Sequence, residues 1–231
     1  MNQILVTDKL YVTQKLKRKK KIYRAEFIAS LLLVFIFSGW FVYSKYEQNK
    51  SEAKSQEILE NAPDMTTAED QALVVAFGDD AEIIEQELDQ VDTASYTDEN
   101  GTTYTYEAIL SIPCIGIQYP VLSDTSDELL KISLNKFWGG SPNTVGNYCV
   151  VGHNYRSGKM FGKLARVNNG DKVYLQDMSG KKLEYVVYEK YVVDPEDVAC
   201  TSQITNGLKE MTLITCTEQG KRRLIVKCRE A

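Results

Sequence analysis

Histidine is almost missing from this chain: one residue, His153, among 231. No Cys-x-x-Cys pair occurs, and the five cysteines, at positions 114, 149, 200, 216 and 228, are odd in number. One imidazole and five dispersed thiols make a poor ligand set for zinc, so no metal and no cofactor is expected. The odd count excludes complete internal disulfide pairing, and a domain of this size needs no such staples. No repeat is present. Length allows one ordinary domain with flanking segments and excludes two full ones. The formal charge of −5 conceals three zones. Residues 1–26 hold eight Lys/Arg against two acids, residues 44–107 hold three against seventeen, and residues 108–231 hold sixteen against thirteen. The nearly balanced C-terminal zone lacks the basic excess of a nucleic-acid binder, so no nucleic-acid partner is expected.

What is present begins with residues 27–43, an apolar run without a charge, at the short end of what crosses a bilayer. Trp40 and Tyr43 sit near its far end, where amphipathic rings favour a membrane interface, and the basic run 17–21 precedes it. The pattern predicts a basic cytoplasmic tail over 1–26, a single membrane-spanning anchor helix over 27–43, and everything beyond it outside the cell. The rival, a cleaved signal peptide, is opposed by the length of the run and by the absence of a small-x-small site after it. Residues 44–103 read as an acidic spacer with few large apolar residues. Within it, propensity predicts helix over 44–60 as an extension of the membrane helix, helical apolar spacing recurs over 80–90, and 98–101 reads as a turn.

From residue 104 the pattern changes to short strands, at 109–113, 115–121, 147–151, 172–175, 183–188, 211–216 and 224–227, with 191–193 continuing or kinking the run before it. A helix is expected near 128–134, and Asp177-Met178-Ser179-Gly180 forms a hairpin turn. Many closely spaced short strands with little helix predict an all-β barrel or sandwich over 104–231.

Three residues carry candidate chemistry. Cys216 ends the apolar run 212–216 and meets the polar loop Thr217-Glu218-Gln219-Gly220, half anchored and half accessible. Lys221, Arg222 and Arg223 follow, and nearby cations favour the reactive thiolate. His153 sits where the apolar run 147–151 gives way to a polar loop. A Cys nucleophile needs a base or imidazolium partner, and His153 is the one imidazole available. An Arg opening the last strand can stabilise negative charge on a carbonyl oxygen as it becomes tetrahedral. Taken singly, each has a plainer reading: a small buried thiol, a surface imidazole, a solvated edge charge. Thr215 divides between binding substrate and simply forming strand, and Asn154 between orienting His153 and forming a turn. Cys114, Cys149 and Cys228 lie in apolar strand contexts and read as core, whereas Cys200 falls in a loop and reads as the adventitious reactive thiol.

The order Gly152-His153, then Thr212-Leu213-x-Thr215-Cys216, then Arg223, resembles the sortase family of cysteine transpeptidases. Ile112-Pro113-x-Ile115-Gly116-Ile117 with Pro120-Val121, and Met160-Phe161-Gly162-x-Leu164, are similar to that family too, so the resemblance covers residues 104–231. It implies a closed eight-stranded β-barrel with short helices behind the anchor and spacer, and a catalytic set of His153, Cys216 and Arg223. It further implies cleavage of a Leu-Pro-x-Thr-Gly-like sorting signal on surface proteins, a thioacyl enzyme, and transfer to an amine of a peptidoglycan precursor. A pilin Lys is the alternative acceptor. His153-Asn154 with Met160-Phe161 resembles class B, although the short link between Cys216 and Arg223 leaves no room for an inserted helix there. The absence of a lid motif and of a second span weighs against a pilus polymerase. Arg222, next to Arg223, is an alternative for the cation, because only one of two adjacent strand residues faces a given side. A papain-type hydrolase and an anchored, non-enzymatic peptide-binding module are the competing readings; the strand-rich pattern opposes the first.

Overall fold

The computed structural model describes residues 14–62 and 92–231. The stretch 80–90 lies outside them, as does the beginning of the basic tail. The chain divides into two compact units, residues 1–49 and 50–231. The described part of the first is the start of helix α1 (Gln14–Glu60), whose Leu33, Phe37 and Trp40 are exposed. Among the described residues it is the one helix long and apolar enough to cross a membrane.

The second unit holds nine strands: β1 (Ala94–Thr97), β2 (Thr103–Ile112), β3 (Ile117–Leu122), β4 (Leu134–Trp138), β5 (Gly146–Val151), β6 (Lys172–Asp177), β7 (Lys182–Val193), β8 (Lys209–Thr217) and β9 (Arg222–Glu230). Their order is β1-β2-β3-β4-β5-β8-β9-β7-β6, and β6 pairs back onto β2. β2 to β9 therefore close a barrel of eight strands, which leaves no free edge inside it. β1 is a ninth strand, hydrogen-bonded to β2 outside the ring. The barrel is mixed: β3–β4 and β5–β8 are parallel, and the remaining pairs antiparallel. Parallel neighbours need a crossover. Between β3 and β4 it is the short helix α2 (Asp127–Ile132), whose N-cap Ser126 accepts the Leu129 N–H at 3.1 Å.

Strand alternation decides what fills the barrel. On β5, β8 and β9 the inward residues Val150, Leu213 and Val226 are wholly buried in one apolar cluster with Leu110, Phe161 and Leu175. The outward residues of the same strands, Cys149, Ile214 and Ile225, form a separate cluster with Cys200. Cys200 is thus not an accessible loop thiol. It lies in a 3₁₀ turn, Ala199–Thr201, folded over this outer face, and burial pushes its thiol upward. Cys149 and Cys228 are buried as expected, but Cys114 is exposed, because Pro113 starts a 3₁₀ turn that ends the strand pattern there.

The helix expected near 128–134 ends at Ile132: Ser133 is extended, with its hydroxyl donating to the Pro120 carbonyl at 2.6 Å. β4 then begins at Leu134. The sequence hid it behind Asn135 and Lys136, polar residues that the barrel covers, Lys136 through an ion pair with buried Glu107 at 3.3 Å. Within the acidic stretch 44–103, the end of α1 packs on the barrel. Ile58 is buried with Tyr104, Tyr106 and Leu122, Ser55 donates to Ser133 at 3.1 Å, and Lys54 pairs with Asp98, the residue that shapes the β1–β2 turn.

Candidate active site

The site lies at one end of the outer face of β5, β8 and β9. Cys216 and Arg223 are register partners across the antiparallel β8–β9 pair, so their side chains leave the sheet on the same side as neighbours. Cys216 shares the outward parity of Ile214, and Arg223 that of Ile225. The parallel β5–β8 ladder has Val151 opposite Ile214. One further hydrogen bond, Gly152 N–H to the Ile214 carbonyl at 3.2 Å, carries the chain past the ladder and brings His153 level with Cys216. Glycine is required before His153, since a Cβ at 152 would stand 2.4 Å from Leu134 and 2.9 Å from Phe161. His153, Cys216 and Arg223 line a single cavity of about 380 Å³, roofed by the β7–β8 segment through Pro195, Val198 and Thr201.

Polar contacts fix the frame. Thr215, buried and pointing inward, donates its hydroxyl to the Gly152 carbonyl at 2.7 Å. Asn154 donates its side-chain amide to the Cys216 carbonyl at 2.8 Å. Both residues therefore bind the His153 turn to the Cys216 strand end. The Arg223 guanidinium donates to the Gly220 carbonyl at 2.9 Å, within the link that joins β8 to β9. Arg222 leans away to Asp194 at 3.4 Å, so Arg223 is the cation at the cavity. Burial holds the His153 imidazole below its ordinary value; Asp127 pulls it back up and Lys131 opposes that. Burial thus favours the neutral form of the imidazole, in a cavity that the half-buried Cys216 also lines. This arrangement can place a sulfur nucleophile, a proton acceptor and a fixed cation around one carbonyl. Among the described residues, no group of three or more His, Cys, Asp and Glu is placed to hold a metal.

Sequence reasoning missed the residues that hold the roof. Asn147 on β5 donates to the Cys200 and Ser202 carbonyls at 2.9 and 3.1 Å and exchanges hydrogen bonds with Gln203. Thr212 on β8 donates to Asn147 at 2.7 Å. The available signal was a pair of polar side chains inside apolar strands, which marks buried hydrogen bonding.

Comparison with known proteins bears on the same residues. The sortase domain family model matches residues 110–231. The chain is 28% identical to sortase A of Bacillus anthracis over 60% of its own length and 66% of the relative's. It is 30% identical to sortase A of Listeria monocytogenes over 49% of its length and 51% of the relative's. The chain thus spans about half to two thirds of the relatives it matches. The crystal structure of sortase C-1 from Actinomyces oris is similar at 28% identity and a TM-score of 0.50, covering 54% of this chain and 73% of that one. These relatives carry the names sortase A and sortase C; class B, expected from the His153-Asn154 and Met160-Phe161 pairs, is not indicated. Matched over half its length with the eight-stranded barrel complete, the chain belongs to the sortase family.

Proposed function

We propose that this protein is a membrane-anchored transpeptidase acting on a C-terminal sorting signal of the Leu-Pro-x-Thr-Gly kind. The observation that supports this reading most is the direct register pairing of Cys216 with Arg223 in a cavity that His153 also lines. In the first half-reaction the Cys216 thiol gives its proton to the neutral His153 imidazole, and Sγ adds to the Thr carbonyl carbon. The oxygen gains the negative charge, which Arg223 stabilises. His153 then returns the proton to the departing amide nitrogen, the C–N bond breaks, and the acyl group remains on Sγ as a thioester. In the second half-reaction an amine of a peptidoglycan precursor adds to the thioester. His153 takes its proton, the C–S bond breaks, and Cys216 is regenerated. Thr215 and Asn154 act here through the frame, keeping imidazole and sulfur level, and Thr215 also borders the cavity where substrate would lie.

The names of the two sequence relatives favour a class A enzyme that anchors proteins to the cell wall. The apolar run 27–43 serves as anchor, with the basic run 17–21 cytoplasmic and the barrel outside. Of the stretch 44–103, the end of α1 and strand β1 belong with the barrel, and 104–231 carry the chemistry. The test is a product analysis with sorting pentapeptides and a series of amines. Amide product should rise with amine concentration at the expense of hydrolysis, in wild type and in Cys200→Ala alike. Hydrolysis at a constant ratio to amide across amine concentrations would overturn transpeptidation in favour of a hydrolase, and peptide affinity without turnover would leave a binding module.

A further inference from the structure

The loop that follows His153 is strained and buried at one point. Met160 has φ 48° and ψ −124°, a left-handed backbone that a side-chain-bearing residue holds only when its surroundings impose it. Met160 is 1% exposed, so its amide needs a protein partner. That partner comes from a strand distant in sequence: the Met160 N–H donates to the Tyr119 hydroxyl on β3 at 3.0 Å. The Tyr119 hydroxyl in turn donates to the Glu52 carboxylate, in the last turns of α1, at 2.7 Å. Tyr119 is itself 3% exposed, so its phenol has these two partners in place of solvent. From Met160 the connection to the imidazole is short. Asn154 and Met160 form an isolated β-bridge, and the Phe161 N–H donates to the His153 carbonyl at 3.0 Å. Glu52 and Tyr119 also border a cleft of about 380 Å³ that Ser157, Gly158 and Lys163 line, so the hydroxyl bridges a gap between the helix end and this loop.

We propose that Tyr119 is a positioning residue for His153: its hydroxyl, fixed by Glu52 of the docked helix end, holds the strained Met160 amide and thereby keeps the imidazole level with Cys216. The helix turns that precede the barrel thus set how often the His153 loop is closed. The proposal rests on the transpeptidase reading for its kinetic consequence, not for its structural one. Tyr119→Phe keeps the ring and its packing but removes both the acceptor for Met160 and the donor to Glu52. Glu52→Ala removes the anchor of the hydroxyl, along with an acceptor for the Gln56 amide at 3.4 Å, whereas Glu52→Gln keeps an acceptor oxygen at the same place.

The experiment uses the full chain in detergent micelles, with hydrogen exchange followed at the Met160 and Phe161 amides and acyl transfer to a fixed amine followed in parallel. Tyr119→Phe should speed exchange at Met160 about tenfold, the loss expected when a buried amide gives up its partner. It should lower kcat by a similar factor, with KM within about twofold, because the sorting-signal contacts are untouched. Glu52→Ala should shift both readouts in the same direction by less, and Glu52→Gln should restore them. Unchanged Met160 exchange in Tyr119→Phe overturns the proposal, as does equal behaviour of Glu52→Ala and Glu52→Gln. A wild-type chain that transfers no acyl group would sink the transpeptidase reading instead, while the exchange comparison would still decide the relay.

Discussion

Three strands, β5, β8 and β9, show two different faces, and the contrast explains the molecule. Their inner face, Val150, Leu213 and Val226, is apolar, wholly buried and closed by the rest of the barrel. Their outer face carries Cys149, Ile214 and Ile225 toward the strand middles and opens at one end on Cys216, Arg223 and His153. Neighbouring residues of one strand thus serve opposite ends: Thr215 faces in and ties the frame, and Cys216 faces out to the cavity. The two-residue period of a strand gives this division without any special device, and a one-residue slip would exchange the faces. What distinguishes the outer face is its cover, the β7–β8 segment, held by polar bonds from Asn147 and Gln203 where the inner face is held by packing.

The contrast can be broken most sharply at the sulfur. Under the transpeptidase reading, Cys216→Ala should lower kcat by a factor on the order of 10⁶, with thermal stability unchanged, as loss of a nucleophile does in acyl-transfer enzymes; turnover assays with melting curves check both. Arg223→Ala should cost about 10²–10³ in kcat/KM, the usual loss of one oxyanion donor, while Arg222→Ala, directed at Asp194, should stay within about threefold. The inner face should answer in the opposite currency. Leu213→Ala should destabilise by about 2–5 kcal/mol in urea unfolding, since it leaves a cavity in a fully buried cluster. Thr215→Val lies between the faces, and loss of its bond to Gly152 should cost about 1 kcal/mol of stability and a several-fold fall in kcat. The smallest effect concerns pH. Burial lowers the His153 value in the fold, so the unfolded chain takes up a proton first as pH falls. The stability contributed by neutral His153 is complete above the ordinary histidine range and is lost as pH drops through it toward the lowered value. His153→Asn should therefore lose less stability than wild type between pH 7.5 and 5.5, measured as urea midpoints.

Much of this site was legible in the sequence because its parts are local. Cys216 and Arg223 end and begin strands joined by one short link, so the hairpin itself sets their register. His153 followed from being the one histidine and from the Gly152-His153 pair of the family resemblance; the structure adds why that glycine is there, its close approach to Leu134 and Phe161. What stayed hidden depends on tertiary cover. Asn135 and Lys136 broke the apolar pattern of β4 because the barrel supplies their partners. Cys200 looked like a surface thiol until the 3₁₀ turn folded it under. Strand β1 is only four residues long, too short for its alternation of Ala94 and Tyr96 with Ser95 and Thr97 to stand out, and Asp98, which shapes its turn, is paired by Lys54 from the helix. No local pattern reports that the end of α1 packs on the barrel; Ile58 is buried with Tyr104, Tyr106 and Leu122, and Ser55 against Ser133, all distant in sequence.

One sulfur, that of Cys216, is assigned the acyl group. Incubating the full chain with a sorting peptide, quenching in acid and mapping the adduct by peptide mass spectrometry tests this directly. The account predicts one acyl group per chain, on Cys216, released by an added amine. An adduct on Cys114 or Cys200, or acyl transfer without any Cys216 adduct, would contradict it.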